Sequence, residues 1–348
     1  MALKKTSILI PKELDGVRLD QALADLLPKA SGMELSKGKI RKLIVAGAVY
    51  LNTGRVRIAS KTVRAGARIE VYIDPAKLHS ESEARERTPD GSRPKEWKLT
   101  ERDLLFEDEW IMGVNKPAGL PTQPTLDEAR ANLFALLKKF RQARDGADAY
   151  VGLHHRLDRD TSGVMLFTKA KIANAGVGRL FSDHLAEKTY VAIVSVGKGA
   201  VADEWTVDDF LARDKVKAGQ MKVVKSGGDR AVTHFKRLAE SSRIPGQPGY
   251  ALILAKPKTG RMHQIRVHLA TAGMPIVGDR TYGGEMKTSG GTSIPRVMLH
   301  AGSLTFPHPI TKLQITFEAP LPSDFSTCLR HLGLEIPSSV AFEKEPRS

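Results

Sequence analysis

Cysteine and long apolar runs are the two features that this sequence most clearly lacks. Cys328 is the only cysteine, so the chain can form no intramolecular disulfide and no zinc site built from cysteines, and a reducing compartment is expected. Near the N-terminus the apolar run covers only residues 8–10, whereas a signal peptide needs about 7–15 apolar residues and a membrane helix about 20. The sequence therefore predicts a cytoplasmic protein without a membrane partner.

Acidic side chains are scarce relative to basic ones. The 348 residues include 54 lysines and arginines against 39 aspartates and glutamates, which gives a formal net charge of +15 and a pI near 9.8. This excess attracts polyanions, of which nucleic acid is the commonest, although the charge could also serve only to keep the protein soluble. Hydrophobic residues make up 41% of the chain, enough for globular cores, and the length predicts two domains.

Residues 15–74 are predicted to fold as a small α+β module. A helical stripe of apolar residues is followed by Ser36, a suitable N-cap for a second helix over residues 37–46. Ile40 and Ile44 fall on one face of that helix, which indicates that this face is buried. Two β-like runs with turn residues after the first complete the module.

The second predicted helix carries a dense group of positive charges, namely Lys37, Lys39, Arg41 and Lys42. Residues 16–74 as a whole hold eleven basic side chains and five acidic ones. Clustered cations repel one another unless an anion lies nearby, so the pattern predicts a surface that binds RNA. An ordinary solvated helix face is the alternative.

These stretches resemble the S4-type RNA-binding module. The resemblance rests on residues 18–20 (RLD), on Ser36 with the helix end at residues 40–47, and on residues 49–52 (VYLN). It implies that the basic second helix faces RNA, which is the surface that the charge pattern already indicates.

Composition divides the rest of the chain into a linker at residues 75–100, a larger domain at residues 101–335 and a tail at residues 336–348. The linker and the tail contain few large apolar residues, so they cannot offset the entropy lost on ordering. In the larger domain, short β-rich runs outnumber the predicted helices at residues 132–140 and 261–272. This predicts an α+β fold around a mainly antiparallel mixed sheet rather than a doubly wound α/β fold.

Residues 154–163 (HHRLDRDTSG) are the segment most informative about chemistry, because they lie between two apolar runs and end in turn residues. Asp158 is flanked by Arg156 and Arg159, and neighbouring cations favour an ionised carboxylate. An ionised, partly desolvated carboxylate can act as a nucleophile or a base. The alternative is an aspartate that only satisfies the backbone of a turn.

Metal binding is the other chemistry to weigh here. Two adjacent histidines precede Asp158 and Asp160, but adjacent side chains point in different directions. The downstream pair, His263 and His268, is spaced i, i+5, and no H-E-x-x-H or H-x-x-E-H pattern occurs. A metal site is therefore not expected, and a metal-dependent nuclease is a minor alternative.

Residues 155–163 (HRLDRDTSG) resemble the signature H-R-L-D-x-x-T-S-G of the RluA family of pseudouridine synthases. The resemblance implies that Asp158 is the catalytic aspartate and that Arg156 helps to displace the target base and hold the RNA. The EKTY stretch matches the segment whose tyrosine, here Tyr190, stacks on the target base. The TGRMHQIRVHL stretch matches the motif whose second arginine, here Arg266, pairs with the catalytic aspartate.

Tyr190 and Arg266 also have simpler interpretations that do not depend on the resemblance. Tyr190 lies in an apolar run typical of a core strand, and Arg266 could simply bind phosphate. Three further stretches follow the family order, at residues 115–120 (NKPAGL), 278–283 and 299–301.

The resemblance implies an RNA pseudouridine synthase, an isomerase that breaks the glycosidic bond of uridine, turns the uracil and joins its C5 to the ribose. No external group enters this reaction, so no cofactor is expected, and neither a P-loop nor a dinucleotide-binding motif occurs. The resemblance favours large-subunit (23S) ribosomal RNA as the substrate, because family members that carry such an N-terminal module mostly modify that RNA. Transfer RNA, or a non-catalytic role in RNA binding or ribosome assembly, are the alternatives. A monomer whose partner is RNA rather than DNA is expected.

Overall fold

The computed structural model describes residues 4–74, 97–124, 131–197, 201–217, 219–242, 248–288 and 290–337. These residues divide into two units, one formed by residues 4–74 and one by the described residues from 97 to 337. Residues 75–96 of the predicted linker and residues 338–348 of the predicted tail lie outside the described residues, so the domain boundaries stay a prediction. None of the described helices is long and apolar enough to cross a lipid bilayer.

The N-terminal unit combines two helices with a small antiparallel sheet. Its elements are β1 (Lys4–Leu9), α1 (Leu19–Ser31), α2 (Lys37–Val45), β2 (Val49–Leu51), β3 (Gly54–Val56) and β4 (Arg68–Ile73). The strand order is β1-β4-β2-β3. Strand β1 is not predicted from the sequence; it pairs with β4 along its whole length and buries Thr6 and Ile8. Its strand conformation therefore depends on the partner strand more than on its own composition.

Helix α2 begins where the sequence predicts. The side chain of Ser36 accepts a hydrogen bond from the backbone N–H of Lys39 at 3.3 Å, which satisfies one of the free donors at the helix start. Ile40 and Ile44 are fully buried, as their spacing predicts. The apolar face packs inward, and the basic residues therefore occupy the remaining faces of the helix.

The larger unit is built on an eleven-stranded sheet with helices around it. Its strands are β5 (Leu104–Glu107), β6 (Ile111–Lys116), β7 (Gly152–Leu153), β8 (Ser162–Thr168), β9 (Glu187–Val196), β10 (Glu204–Arg213), β11 (Met221–Val224), β12 (Asp229–Glu240), β13 (Gly249–Pro257), β14 (Leu299–Pro307) and β15 (Gln314–Glu318). Its helices are α3 (Leu133–Asp145), α4 (Asn174–Ser182), α5 (Gln264–Thr271) and α6 (Ser323–His331).

The strand order is β11-β10-β12-β13-β9-β14-β8-β6-β5, with β15 beside β14 and β7 beside β8. Among the described strands, β8 and β14 pair in parallel and the other pairs are antiparallel. The predicted α+β class with a mainly antiparallel mixed sheet is therefore confirmed.

Several elements of the larger unit are absent from the sequence-based prediction or have other bounds. Strands β5, β10, β11, β12 and β14 are not among the runs that the sequence predicts as strands; in β10 only Leu211 is buried. The helix predicted over residues 261–272 begins later, at Gln264, because His263 ahead of it has a left-handed backbone with φ 55°.

The parallel pair β8 and β14 fixes the end of the loop that carries the signature motif. Gly163 has φ 117°, and a Cβ at this position would lie 2.1 Å from the carbonyl oxygen of Ala301. Only glycine allows this approach of the two strands. The loop between β7 and β8 therefore leads into a strand whose start cannot shift.

Candidate active site

A cleft of about 470 Å³ opens in the larger unit beside the loop between β7 and β8. The start of α5 and strand β9 also border this cleft, so segments far apart in sequence meet there. Among its lining residues are Arg156, Asp158, Lys188, Tyr190, Arg261, His263 and Arg266. The predicted catalytic set, Asp158, Tyr190 and Arg266, is thus brought together at one site.

Asp158 is held by Arg266 rather than by its sequence neighbours. Nη1 of Arg266 donates a hydrogen bond to Oδ2 of Asp158 at 2.9 Å, and the aspartate side chain keeps 21% of its surface exposed. Arg159, expected to support Asp158, instead binds Asp160 through two hydrogen bonds of 2.9 Å. The pairing thus follows the family resemblance and not the simple proximity of charges in the sequence.

Arg266 is itself fixed by a second carboxylate. Its Nε and Nη2 donate hydrogen bonds of 2.7 and 2.8 Å to the two oxygens of Asp279, which is fully buried. Burial alone would lower the pKa of Arg266, but the hydrogen bonds and charges of Asp279 and Asp158 raise it above its ordinary value. The planar guanidinium therefore bridges two carboxylates and leaves Asp158 a fixed orientation.

Residues at the end of β6 and just after it form hydrogen bonds with the backbone on both sides of Asp158. Oγ1 of Thr122 donates to the carbonyl oxygen of Leu157 at 2.8 Å and accepts from its N–H at 3.1 Å. The carbonyl oxygen of Arg159 accepts hydrogen bonds from the backbone N–H of Gly119 at 2.9 Å and from Nζ of Lys116 at 3.0 Å. Asp158 thus lies between two residues that cannot easily move.

Lys116 is a fully buried lysine in this support. Its Nζ also donates to the carbonyl oxygens of Pro117 and Leu120, at 3.0 and 2.8 Å. Burial lowers the pKa of Lys116 to about 7, although the negative charges of Asp160 and Asp158 oppose the change. The lysine that the NKPAGL motif provides is therefore an internal support for the loop and does not line the cleft.

Tyr190 and Arg156 occupy different depths of the cleft. Tyr190 lies on β9 and is partly buried. Its pKa is raised mainly by burial and to a smaller extent by the negative charge of Asp158. It therefore stays a neutral phenol that lines the same cleft as Asp158. Arg156 is exposed at the loop between β7 and β8, where it remains accessible to a polyanion.

Positive charge dominates the lining of the cleft. Lys188 donates from Nζ to the carbonyl oxygen of Thr259 at 3.0 Å, and burial lowers its pKa to about 8. Arg156 and Arg261 add two permanent charges at the same cleft. Such a site suits a ligand that carries phosphate groups around a neutral planar base.

The histidines of the signature segment have structural partners. Nε2 of His155 accepts a hydrogen bond from the backbone N–H of Leu166 at 2.8 Å, and burial lowers its pKa to about 3. Nε2 of His154 lies 3.2 Å from Oγ1 of Thr168. Within the described part of the chain, no three His, Cys, Asp or Glu side chains form a group that could hold a metal ion.

The four predicted RNA-binding residues lie on α2 of the N-terminal unit. Lys37 is exposed and Lys39 and Lys42 are partly exposed. Arg41 donates from Nε to the buried Asp20 at 2.7 Å, and Asp20 has its pKa lowered mainly by its hydrogen bond from Arg18. Part of the charge of Arg41 is therefore offset within the unit.

Several residues that build this site have no role that the sequence predicts. Asp279 and His263 occur in the sequence only within family stretches, His263 also as a possible metal ligand, and Thr122 has no local signal. A buried aspartate that follows a glycine gives no local signal of its partner. The contact with Arg266 becomes visible only once the chain is folded.

Comparisons with known proteins agree with this geometry. The model of the family described as RNA pseudouridylate synthase matches residues 111–271, and the S4 domain model matches residues 17–69. The chain is 32% identical to "Ribosomal large subunit pseudouridine synthase D" of Zymomonas mobilis over 335 residues, covering 93% of this chain and 96% of the relative. It is 34% identical to the protein of the same name from Pseudomonas aeruginosa over 330 residues, covering 91% and 92% of the two chains.

A solved structure, human RNA pseudouridylate synthase domain containing 4, superposes with a TM-score of 0.57 at 27% identity, covering 68% of this chain and 95% of the other. The residues that the family model matches, 111–271, include Asp158, Tyr190 and Arg266 of the cleft. This superposition and the relatives that match over nearly their whole length give the same answer. The chain belongs to the RluA family of pseudouridine synthases and is an RNA-modifying isomerase.

Proposed function

We propose that this enzyme converts uridine to pseudouridine in large-subunit ribosomal RNA, with Asp158 as its catalytic carboxylate. The observation that carries the proposal is the chain of contacts from Asp158 through Arg266 to the buried Asp279 at the cleft. This arrangement holds the carboxylate in one orientation while leaving it accessible. The cytoplasmic location, the monomeric state and the absence of DNA or membrane partners expected from the sequence belong to the same proposal.

In this proposal the residues of the cleft have separate roles. The target nucleotide must leave its stack, which costs a few kcal/mol, and stacking on Tyr190 returns about 1–3 kcal/mol. Arg156, exposed beside the cleft, helps to displace the base and binds the flanking backbone. Asp158 then acts on the flipped nucleotide, while Arg266 keeps its carboxylate oriented.

Large-subunit ribosomal RNA is proposed because of the relatives and of the N-terminal unit. The relatives cited above are named for the large ribosomal subunit and match this chain along more than nine tenths of its length. The S4 match covers the unit that presents the basic helix. A module with several cations adds affinity for the backbone of a large folded RNA.

The proposed substrate is tested by tritium release from RNA that carries uridine labelled at C5, because forming the new bond at C5 displaces that hydrogen. We expect release from unmodified large-subunit ribosomal RNA and none from unmodified transfer RNA. Release from transfer RNA alone would favour the transfer-RNA alternative. Release from neither RNA would contradict the proposed substrate class.

The role of the basic helix is tested in the full chain by replacing Lys37, Lys39 and Lys42 with glutamine while Arg41 is kept. We expect KM for the ribosomal RNA to rise about tenfold at moderate salt, with kcat unchanged, and the salt dependence of binding to become weaker. In this proposal these lysines of the N-terminal unit contribute phosphate contacts. The measurement is the KM at several salt concentrations.

The matched control for this triple change is the replacement of three other exposed lysines of the same unit, Lys12, Lys29 and Lys61. It removes the same charge and should change KM much less. Equal effects of the two triple variants would mean that net charge, and not the face of α2, determines affinity.

A further inference from the structure

His263 lies beside the proposed reacting carboxylate but has no assigned part in the reaction. Its Nε2 is 3.6 Å from Oδ2 of Asp158, the oxygen that also accepts the hydrogen bond from Arg266. That separation is too long for a hydrogen bond, but catalytic contacts often shorten when the substrate binds. The position of this imidazole therefore raises the question of which nitrogen carries its proton.

The other nitrogen of His263 is fixed by a tyrosine. Nδ1 lies 2.8 Å from the hydroxyl oxygen of Tyr282, and the same oxygen accepts the backbone N–H of Met221 at 2.9 Å. With one side of the oxygen occupied by a donor, the hydroxyl proton of Tyr282 is free to point at Nδ1. Burial raises the pKa of Tyr282, which keeps that proton in place.

The tautomer follows from this contact. When Nδ1 accepts from Tyr282, a neutral imidazole must carry its hydrogen on Nε2, the nitrogen that faces Asp158. Burial lowers the pKa of His263, an effect that Arg266 and Arg156 reinforce and that Asp158 and Asp279 oppose. The imidazole is therefore neutral near pH 7 and presents a single N–H toward the carboxylate.

The backbone of His263 supports a functional reading of this position. The residue has φ 55°, a left-handed conformation that is uncommon outside glycine, at the residue that precedes α5. Such conformations cost free energy and cluster at functional sites. Here the conformation directs the ring to Tyr282 and Asp158, while Arg266 follows on the first turn of the helix.

We propose that His263 is a positioning residue whose Nε2–H, oriented by Tyr282, donates to Oδ2 of Asp158 when the RNA is bound. Together with Arg266 it would provide two donors to one oxygen and leave Oδ1 as the reacting atom. Among the residues that the structure describes, none forms a hydrogen bond with Oδ1. This inference rests on the proposed role of Asp158 and adds a second contributor to its orientation.

The test compares two amide variants in the full-length enzyme. His263→Asn tolerates the left-handed backbone but is too short to bring a donor to the position of Nε2, whereas His263→Gln carries an N–H at that distance. We expect His263→Asn to lower kcat about 10–100-fold with KM for the RNA nearly unchanged. His263→Gln should recover most of that loss, and both should melt near the wild-type temperature.

A second variant keeps the test independent of folding at position 263. Tyr282→Phe retains the ring that lies 5.0 Å from the guanidinium of Arg266 but removes the hydroxyl that orients His263. We expect a smaller loss of kcat, and no further loss when it is combined with His263→Asn, because the two changes break one chain of contacts.

The outcomes separate this inference from the proposed function. If the wild-type enzyme releases no tritium from the ribosomal RNA, the proposed function fails. If the wild type is active, Asp158→Asn is inactive and His263→Asn is as active as the wild type, only the role of His263 is overturned. Equal losses in the asparagine and glutamine variants would also overturn it, since the N–H at the Nε2 position would then be irrelevant.

Discussion

Asp158→Asn is expected to reduce pseudouridine formation by a factor on the order of 10⁴ or more, because losses of this size follow removal of a reacting group. Asparagine keeps an oxygen that can accept the hydrogen bond from Arg266, so the loop and the cleft should keep their shape. It lacks the charge and the nucleophilic or basic character of a carboxylate. The measurement is tritium release under single-turnover conditions, with RNA binding followed in parallel.

Asp160→Asn is the matched control for that result. Asp160 lies two residues away, and its carboxylate binds the exposed side chain of Arg159 and not Arg266. Neutralising it removes the same charge from the same loop but leaves the contact between Arg266 and Asp158. We expect its activity to stay within a few-fold of wild type. Retained activity in Asp158→Asn would contradict the assignment of the catalytic residue.

Arg266→Lys is expected to have the second largest effect, a loss of about 100-fold in kcat, although it preserves the positive charge. The guanidinium uses three nitrogens at once, two for Asp279 and one for Asp158. A lysine ammonium is a single point and cannot hold both carboxylates at these distances. Misplacing a reacting group by about 1 Å can cost about 100-fold in rate.

Stability should fall as well in Arg266→Lys, because Asp279 is fully buried and would lose part of its partner. Breaking a buried ion pair costs about 3–5 kcal/mol, and a lysine that still reaches Asp279 would recover some of this. The control is Arg261→Lys, which changes an exposed arginine of the same cleft and should alter kcat only slightly. Similar losses of kcat in both variants would indicate a general need for arginine in RNA binding and not the bridging role of Arg266.

An element can be predicted from the sequence where one short segment contains all the interacting groups. The start of α2 is an example, since Ser36 and its partner Lys39 are three residues apart and the buried pair Ile40 and Ile44 is one turn apart. Strand β1 could not be predicted in this way. Its residues adopt a strand because β4, more than fifty residues later, supplies the hydrogen bonds.

The same distinction applies to the site. The nine-residue signature around Asp158 is contiguous, so the sequence by itself determined the family and the candidate carboxylate. Which cation binds that carboxylate was decided only by the tertiary structure, since Arg266 lies 108 residues away and the adjacent Arg159 turns to Asp160. Asp279, Thr122 and Tyr282 likewise acquire their roles only through partners from other segments. Chain proximity sets which groups are available, whereas packing in a low-dielectric interior selects which of them must be paired.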